Sequence, residues 1–162
     1  MRTPSKSAAV AALVSLVLVV AVATTVPAQT LDKKVLSLEG ARKVAAAAQE
    51  AARAKGVDVV IVVVDDGGYI LLLERMDGAQ VASVNVGIGK ARTAAIYRRP
   101  SRVFEEQIKN GRVAALALAD ATPLQGGVPI SLEGKVVGAI GVSGDSPQID
   151  EDIAIAGARA FR

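Results

Sequence analysis

Residues 59–93 read VVIVVVDDGGYILLLERMDGAQVASVNVGIGKART, and the architecture follows from this stretch. Val59 to Val64 is an unbroken β-branched run. It is apolar at odd and even positions alike, which predicts a strand buried on both faces. Asp65-Asp66-Gly67-Gly68 follows, turn chemistry in which Gly supplies the positive φ of a tight hairpin. Tyr69 to Arg75 is then the returning antiparallel strand. A polar corner, Arg75-Met76-Asp77-Gly78, leads into a helix from Gln80 to Tyr97, with Val81, Val84, Ile88, Ala91 and Ala95 on its apolar face.

Upstream, Ser37 reads as an N-cap, and Leu38, Ala41, Val44, Ala45, Ala48 and Ala52 recur at helical spacing. Lys55 in the last turn and Gly56 beyond it mark the helix end. Downstream, Pro100 stops the second helix. Ser101 is positioned to cap a short one over Arg102–Lys109, and Val113–Ala119 suggests a further helical turn. Thr122-Pro123-Leu124-Gln125-Gly126-Gly127 is a loop. Val128–Leu132 and Lys135–Ser143 form a second hairpin around Glu133-Gly134. Ser146-Pro147 opens a last helix carrying Ile149, Ile153, Ala156 and Ala160. Short antiparallel strands with helices grouped around them predict a single α+β domain.

Composition narrows the chemistry. The chain has 162 residues, of which 51% are hydrophobic but only two Tyr and two Phe are aromatic, so the core is aliphatic. There is no Cys, which excludes disulfides and thiol chemistry. There is also no His, which removes the commonest general base and metal ligand. Serine triads, ordinary zinc sites and His-ligated haem are therefore unavailable to a single chain.

The first 28 residues have the form of a cleavable export signal. Arg2 and Lys6 precede an apolar run, Ala8 to Val22, and Val26 and Ala28 suit the −3 and −1 positions of a cleavage site. The rival reading is an uncleaved membrane anchor. Pro27-Ala28 and the lack of a basic flank favour cleavage, so no stable anchor is expected and the protein is expected to be periplasmic or secreted. Residues 29–36 are expected to be a flexible lead, and 37–162 the domain. Loss of Arg2 and Lys6 lowers the formal charge from +3 to +1, too little for a nucleic-acid footprint.

Several polar positions invite a functional reading, and each has a plainer one. Arg75 could meet a carboxylate, and Asp77 could cap the following helix; a structural turn accounts for both equally well. Lys90 and Thr93 share a helix face and could hold an anion or a carbonyl, or simply form a solvated stripe. Gly87 and Gly89 inside the helix suit close packing or space for a ligand. Asp150, Glu151 and Asp152 complement the dipole of the last helix; adjacent helical residues diverge, which argues against a metal site. Met76, Tyr69 and Tyr97 are the residues of the mature chain with any chemistry as axial haem ligands.

The set Val-Asp-Asp-Gly-Gly-Tyr-Ile-Leu, Glu-Arg-Met-Asp-Gly-Ala, Gly-Lys-Ala-Arg-Thr-Ala, Leu-Gln-Gly-Gly-Val-Pro-Ile and Gly-Ala-Ile-Gly-Val-Ser-Gly resembles the GlcG/HbpS family of haem-binding proteins. That family also includes the C-terminal domain of PduO-type corrinoid adenosyltransferases. The resemblance spans Leu36 to Phe161. It implies a profilin-like sandwich with an antiparallel sheet of about five strands, homo-oligomers from dimer to octamer, and an exported haem-binding or redox-linked accessory role. Arg75, Met76, Asp77, Lys90, Thr93, Tyr97, Gly126 and Gly127 are the expected ligand-binding positions. With His absent, Thr93, Thr122, Met76 and Tyr97 remain as contacts for a haem or related tetrapyrrole. Two other functional classes are carried forward. One is an enzyme on a small carbonyl or carboxylate substrate, with Lys90 as base or Schiff-base former. The other is a ligand-free accessory subunit.

Overall fold

The structure is a computed structural model and describes residues 29–161. The expected export signal lies outside the described residues. Residues 34–161 form one compact unit. Among the described residues no helix is long and apolar enough to cross a membrane.

The elements run α1 (Leu38–Lys55), β1 (Val60–Asp65), β2 (Ile70–Arg75), α2 (Ser83–Ile96), α3 (Arg102–Lys109), a 3-10 turn (Val113–Ala117), β3 (Gly127–Leu132), β4 (Lys135–Ser143) and α4 (Pro147–Arg159). The sheet order is β2-β1-β4-β3, and every neighbouring pair is antiparallel. The class is α+β as expected; among the described residues the sheet has four strands, where about five were expected.

The β-branched run earns its central place. Val59 to Val64 are all fully buried. Val59, Ile61 and Val63 join the core layer beneath α1 and α4, whereas Val60, Val62 and Val64 pack with Ala91, Ala94 and Ala95 of α2. Each such side chain contributes on the order of 1.5–3 kcal/mol of burial free energy, which explains why this strand lies in the middle. In the first hairpin Asp65 Oδ1 accepts the N–H groups of Gly67 and Tyr69, both at 2.9 Å, and Gly68 takes the positive φ of 83°. Tyr69 stays outside the strand, 70% exposed.

α1 begins and ends as its sequence predicts. Ser37 Oγ accepts the Gly40 N–H at 3.1 Å, and Gly56 closes the helix in the left-handed region. Leu36, in the expected lead, is buried, and its N–H bonds the Val137 carbonyl of β4, so order begins before the cap. On the other side of the sheet α2 lies very close to β4. A Cβ on Gly87 would come within 3.2 Å of Val62, and one on Gly141 would collide with the Gly87 carbonyl. Close packing is therefore what Gly87 provides.

Three local expectations differ. Val81 is exposed, because α2 starts only at Ser83 and its buried face is Ser83, Gly87, Lys90, Ala91, Thr93, Ala94 and Ala95. Asp77 does not cap α2; Ala82 holds that position and makes no side-chain bond. Ser101 does not cap α3 with its side chain. Its hydroxyl instead donates to Leu124 O at 2.6 Å and accepts from Gly127 N at 2.8 Å, tying the loop before β3 to the start of α3.

Candidate functional site

The polar residues converge where α2, the 122–127 loop and the start of α4 meet. Lys90 is the hinge of the arrangement. Its position in α2 points it past the end of β3, which begins at Gly127, towards a carbonyl of β4. Its ammonium donates to Val142 O at 3.0 Å and to Asp150 Oδ2 at 2.8 Å. The two side chains of this ion pair are only 5% and 3% exposed. Asp150 Oδ1 also accepts the Asp145 N–H at 3.0 Å. Burial pushes the Asp150 carboxyl above its usual range, and the bonds from Lys90 and the Asp145 amide offset this only in part.

Gly126 makes this contact feasible. Its φ is 124°, and a Cβ there would stand 2.9 Å from Lys90 Nζ and 2.7 Å from Val142 O. Any side chain would wedge between the ammonium and its carbonyl. At Gly127 a Cβ would collide with the Lys90 carbonyl. Both expected glycines thus serve one purpose, the close approach of the loop to α2.

A second set of bonds fixes the same loop. Thr93 is fully buried; its hydroxyl donates to Gly89 O and accepts from Thr122 N, each at 2.7 Å. The Gln125 N–H bonds Glu105 Oε2 at 2.6 Å, and Gln125 Nε2 donates to Glu151 Oε2 at 2.7 Å. Glu151, 6% exposed, is paired in turn with Arg102 at 3.0 Å. Burial raises the Glu105 carboxyl, but the bonds from Lys109 and the Gln125 amide and the nearby Lys90 charge outweigh it, so the net direction is downward.

Over this network lies a half-open cavity of about 210 Å³. Its lining includes Ser83, Lys90, Ser143 and Asp150, which are all buried, and Gln80, Glu105, Gln125 and Asp145. The Ser83 hydroxyl is buried and has no hydrogen-bond partner.

The expected site residues separate into three places. Lys90, Thr93, Gly126 and Gly127 gather at the loop–α2 contact, where Lys90 is paired and not a solvated stripe. Arg75 and Asp77 are exposed at the end of β2, and Met76 packs half-buried against the core beneath α1 and α4. These three do not line the cavity. Tyr97 stands apart beyond α2; its hydroxyl donates to Ala119 O at 2.6 Å and its ring meets Phe104 edge-on.

The sequence offers no functional signal at Glu105, Gln125, Ser83 or Ser143, and it presents Asp150 and Glu151 only as complements of the helix dipole. One signal was present for Asp150: it forms an i, i+3, i+4, i+7 stripe with Ile153, Ala154 and Gly157, the buried face of α4. A carboxylate on an apolar stripe needs a partner. As for a Schiff base at Lys90, its nitrogen would keep one N–H at most, so it could not hold both Asp150 and Val142 O as the ammonium does. Among the described residues no cluster of acidic side chains could hold a metal ion.

The family model described as "Haem degrading protein HbpS-like" matches residues 36–159. Protein GlcG of Escherichia coli K12 is 42% identical over 111 residues, 68% of this chain and 83% of that protein. Among solved structures, a double mutant of Streptomyces reticuli HbpS superposes with a TM-score of 0.75 at 34% identity, covering 82% of this chain and 90% of that one. A PduOC–haem complex superposes with a TM-score of 0.71 at 26% identity, over 78% and 95% of the two chains.

Proposed function

The chain belongs to the HbpS-like family, and from that premise we propose that it is an exported, homo-oligomeric binding protein whose ligand is haem or a related tetrapyrrole. The observation that carries the reading is the likeness to the PduOC–haem complex and to HbpS, together with one surface of this chain.

That surface lies around Tyr97. With no His or Cys in the chain, the expected contacts offer the iron oxygen or thioether. The Thr93 hydroxyl is buried, with one donor and one acceptor role already filled, and Met76 packs against the core. Tyr97 is half-buried, and its phenol oxygen donates one bond while keeping lone pairs free. It adjoins the segment Val113–Ala119, in which Val113 and Leu116 are 64% and 66% exposed, apolar surface suited to a macrocycle. Arg98 and Arg99 beside it are exposed cations for propionate groups. These residues fit the group. Bound haem would supply the redox-active iron; the chain would supply the oxygen ligand, the apolar face and the cations.

The cavity at Lys90 is not the place for a tetrapyrrole. An engineered cavity of about 150 Å³ holds a benzene, so one of about 210 Å³ is far too small for four linked pyrrole rings.

Hemin titration of the purified protein tests the reading. A saturable Soret change is expected, and Tyr97→Phe is expected to weaken it at least tenfold, about 1.4 kcal/mol. Absence of a saturable change in the unaltered protein would overturn haem binding, and a Tyr97→Phe protein that binds as before would overturn the assigned ligand.

A further inference from the structure

We infer that the cavity between α2 and the start of α4 is a second binding site, taking a small uncharged molecule of the polyol or hydroxy-amide class, with Ser83 and Ser143 as its hydrogen-bonding partners.

Size comes first. A volume of about 210 Å³ exceeds the roughly 150 Å³ that accommodates benzene, so a ligand of about six to eight heavy atoms fits. Charge comes next. Lys90 and Asp150 contribute a buried ammonium and a buried carboxylate that neutralise one another. Glu105 and Asp145 add negative charge to the lining, which disfavours an anion. Glu105 is already paired with Lys109 at 2.6 Å and Asp145 is exposed to solvent, so neither offers a cation a buried partner. An uncharged ligand avoids both penalties.

The hydrogen-bonding groups point to the same class. Ser83 is 1% exposed and its hydroxyl has no partner, a state that costs free energy unless something completes it. Ser143, 5% exposed, brings a second hydroxyl, and each can donate and accept. Lys90 has three N–H donors and the protein engages two of them. Gln125 donates its amide N–H groups to Gln148 and Glu151, leaving its carbonyl as an acceptor. Donors and acceptors are therefore mixed within a few residues, which suits hydroxyl and amide groups and not an apolar ligand.

The site is independent of haem binding, since Tyr97 is not among the cavity residues. Its test uses lactamide, lactate and 1-amino-2-propanol, close in size and respectively neutral, anionic and cationic. Amide chemical shifts of the isotope-labelled protein are followed during titration with each. Saturable shifts at Ser83 and at Ser143 to Asp145 are expected with lactamide, with the charged analogues at least tenfold weaker. Ser83→Ala is expected to weaken lactamide about five- to tenfold, the loss of one hydrogen bond, without lowering the melting temperature. Ser143→Ala repeats the test should the first variant fail to fold. Absence of saturable lactamide shifts at these residues, tighter binding of either charged analogue, or unchanged lactamide affinity in a folded serine variant would overturn the assignment. The hemin result bears on none of these outcomes.

Discussion

Lys90 and Asp150 show what a single contact can demand of its surroundings. A buried ion pair gives back in Coulomb attraction roughly what desolvation removes, but breaking one leaves an uncompensated charge. Lys90→Met is therefore expected to lower stability by roughly 3–5 kcal/mol. The double variant Lys90→Met/Asp150→Leu is expected to recover most of that, measured by urea unfolding of both. A double variant as unstable as the single would show that the pair does not act as a unit. Gly126→Ala tests the same contact from the backbone, since it needs a strained φ and places a methyl against Lys90 Nζ. It is expected to cost at least 1–3 kcal/mol, the range for a strained backbone conformation.

The two carboxyls near Lys90 respond to pH in opposite senses. Glu105 is lowered below its ordinary 4.5 when folded, so it binds its proton more weakly than in the unfolded chain. Its stabilisation is present above pH 4.5 and is lost as pH falls through the folded value. Asp150 is raised above its ordinary 3.8, so its contribution is present below that value and is lost as pH rises through the folded one. Glu105→Gln is thus expected to flatten the fall in urea midpoint below about pH 4.5. A midpoint that falls with acid as steeply as in the unaltered protein would contradict the assignment.

At the scale of elements, the strands and helices fall where local patterning placed them, because backbone geometry repeats at 2 or 3.6 residues and the apolar residues follow it. β1 is the element on which both layers depend. Ile61 is fully buried in the layer under α1 and α4, and Ile61→Ala is expected to cost about 2–5 kcal/mol, read from chemical or thermal unfolding. The start of α2 was less legible. Val81 has the right spacing for its apolar face, but the helix begins only at Ser83, with no side-chain cap, and the preceding turn carries Val81 into solvent. Ser101 looks like a cap by position, yet its hydroxyl serves the 122–127 loop, because two backbone groups of that loop come within reach once the chain has folded.

Across the whole molecule, α1 and α4 cover one face of the sheet and α2 the other, with polar groups concentrated where α2, the loop and α4 meet. The proposed assembly belongs to this scale. Light scattering is expected to give a mass of several chains, and a monomer at micromolar concentration would count against the oligomeric reading. The proposed export predicts that the protein recovered from the periplasm or medium begins at Gln29, which intact-mass measurement would establish.

The α+β class, both hairpins, the buried central strand and the family are legible in the chain before it folds, since each rests on local period, turn chemistry or motifs in fixed order. The sequence also removed His and Cys chemistry outright. Which polar residues share a site is set by folding in three dimensions. Lys90 and Asp150 lie 60 positions apart, and whether such a pair is solvated or buried depends on the path of the chain between them. Arg75, Met76 and Asp77 are closer to Lys90 in sequence, yet they do not line its cavity. Patterning specifies where a residue sits on its own element; desolvation and pairing arise only when elements meet.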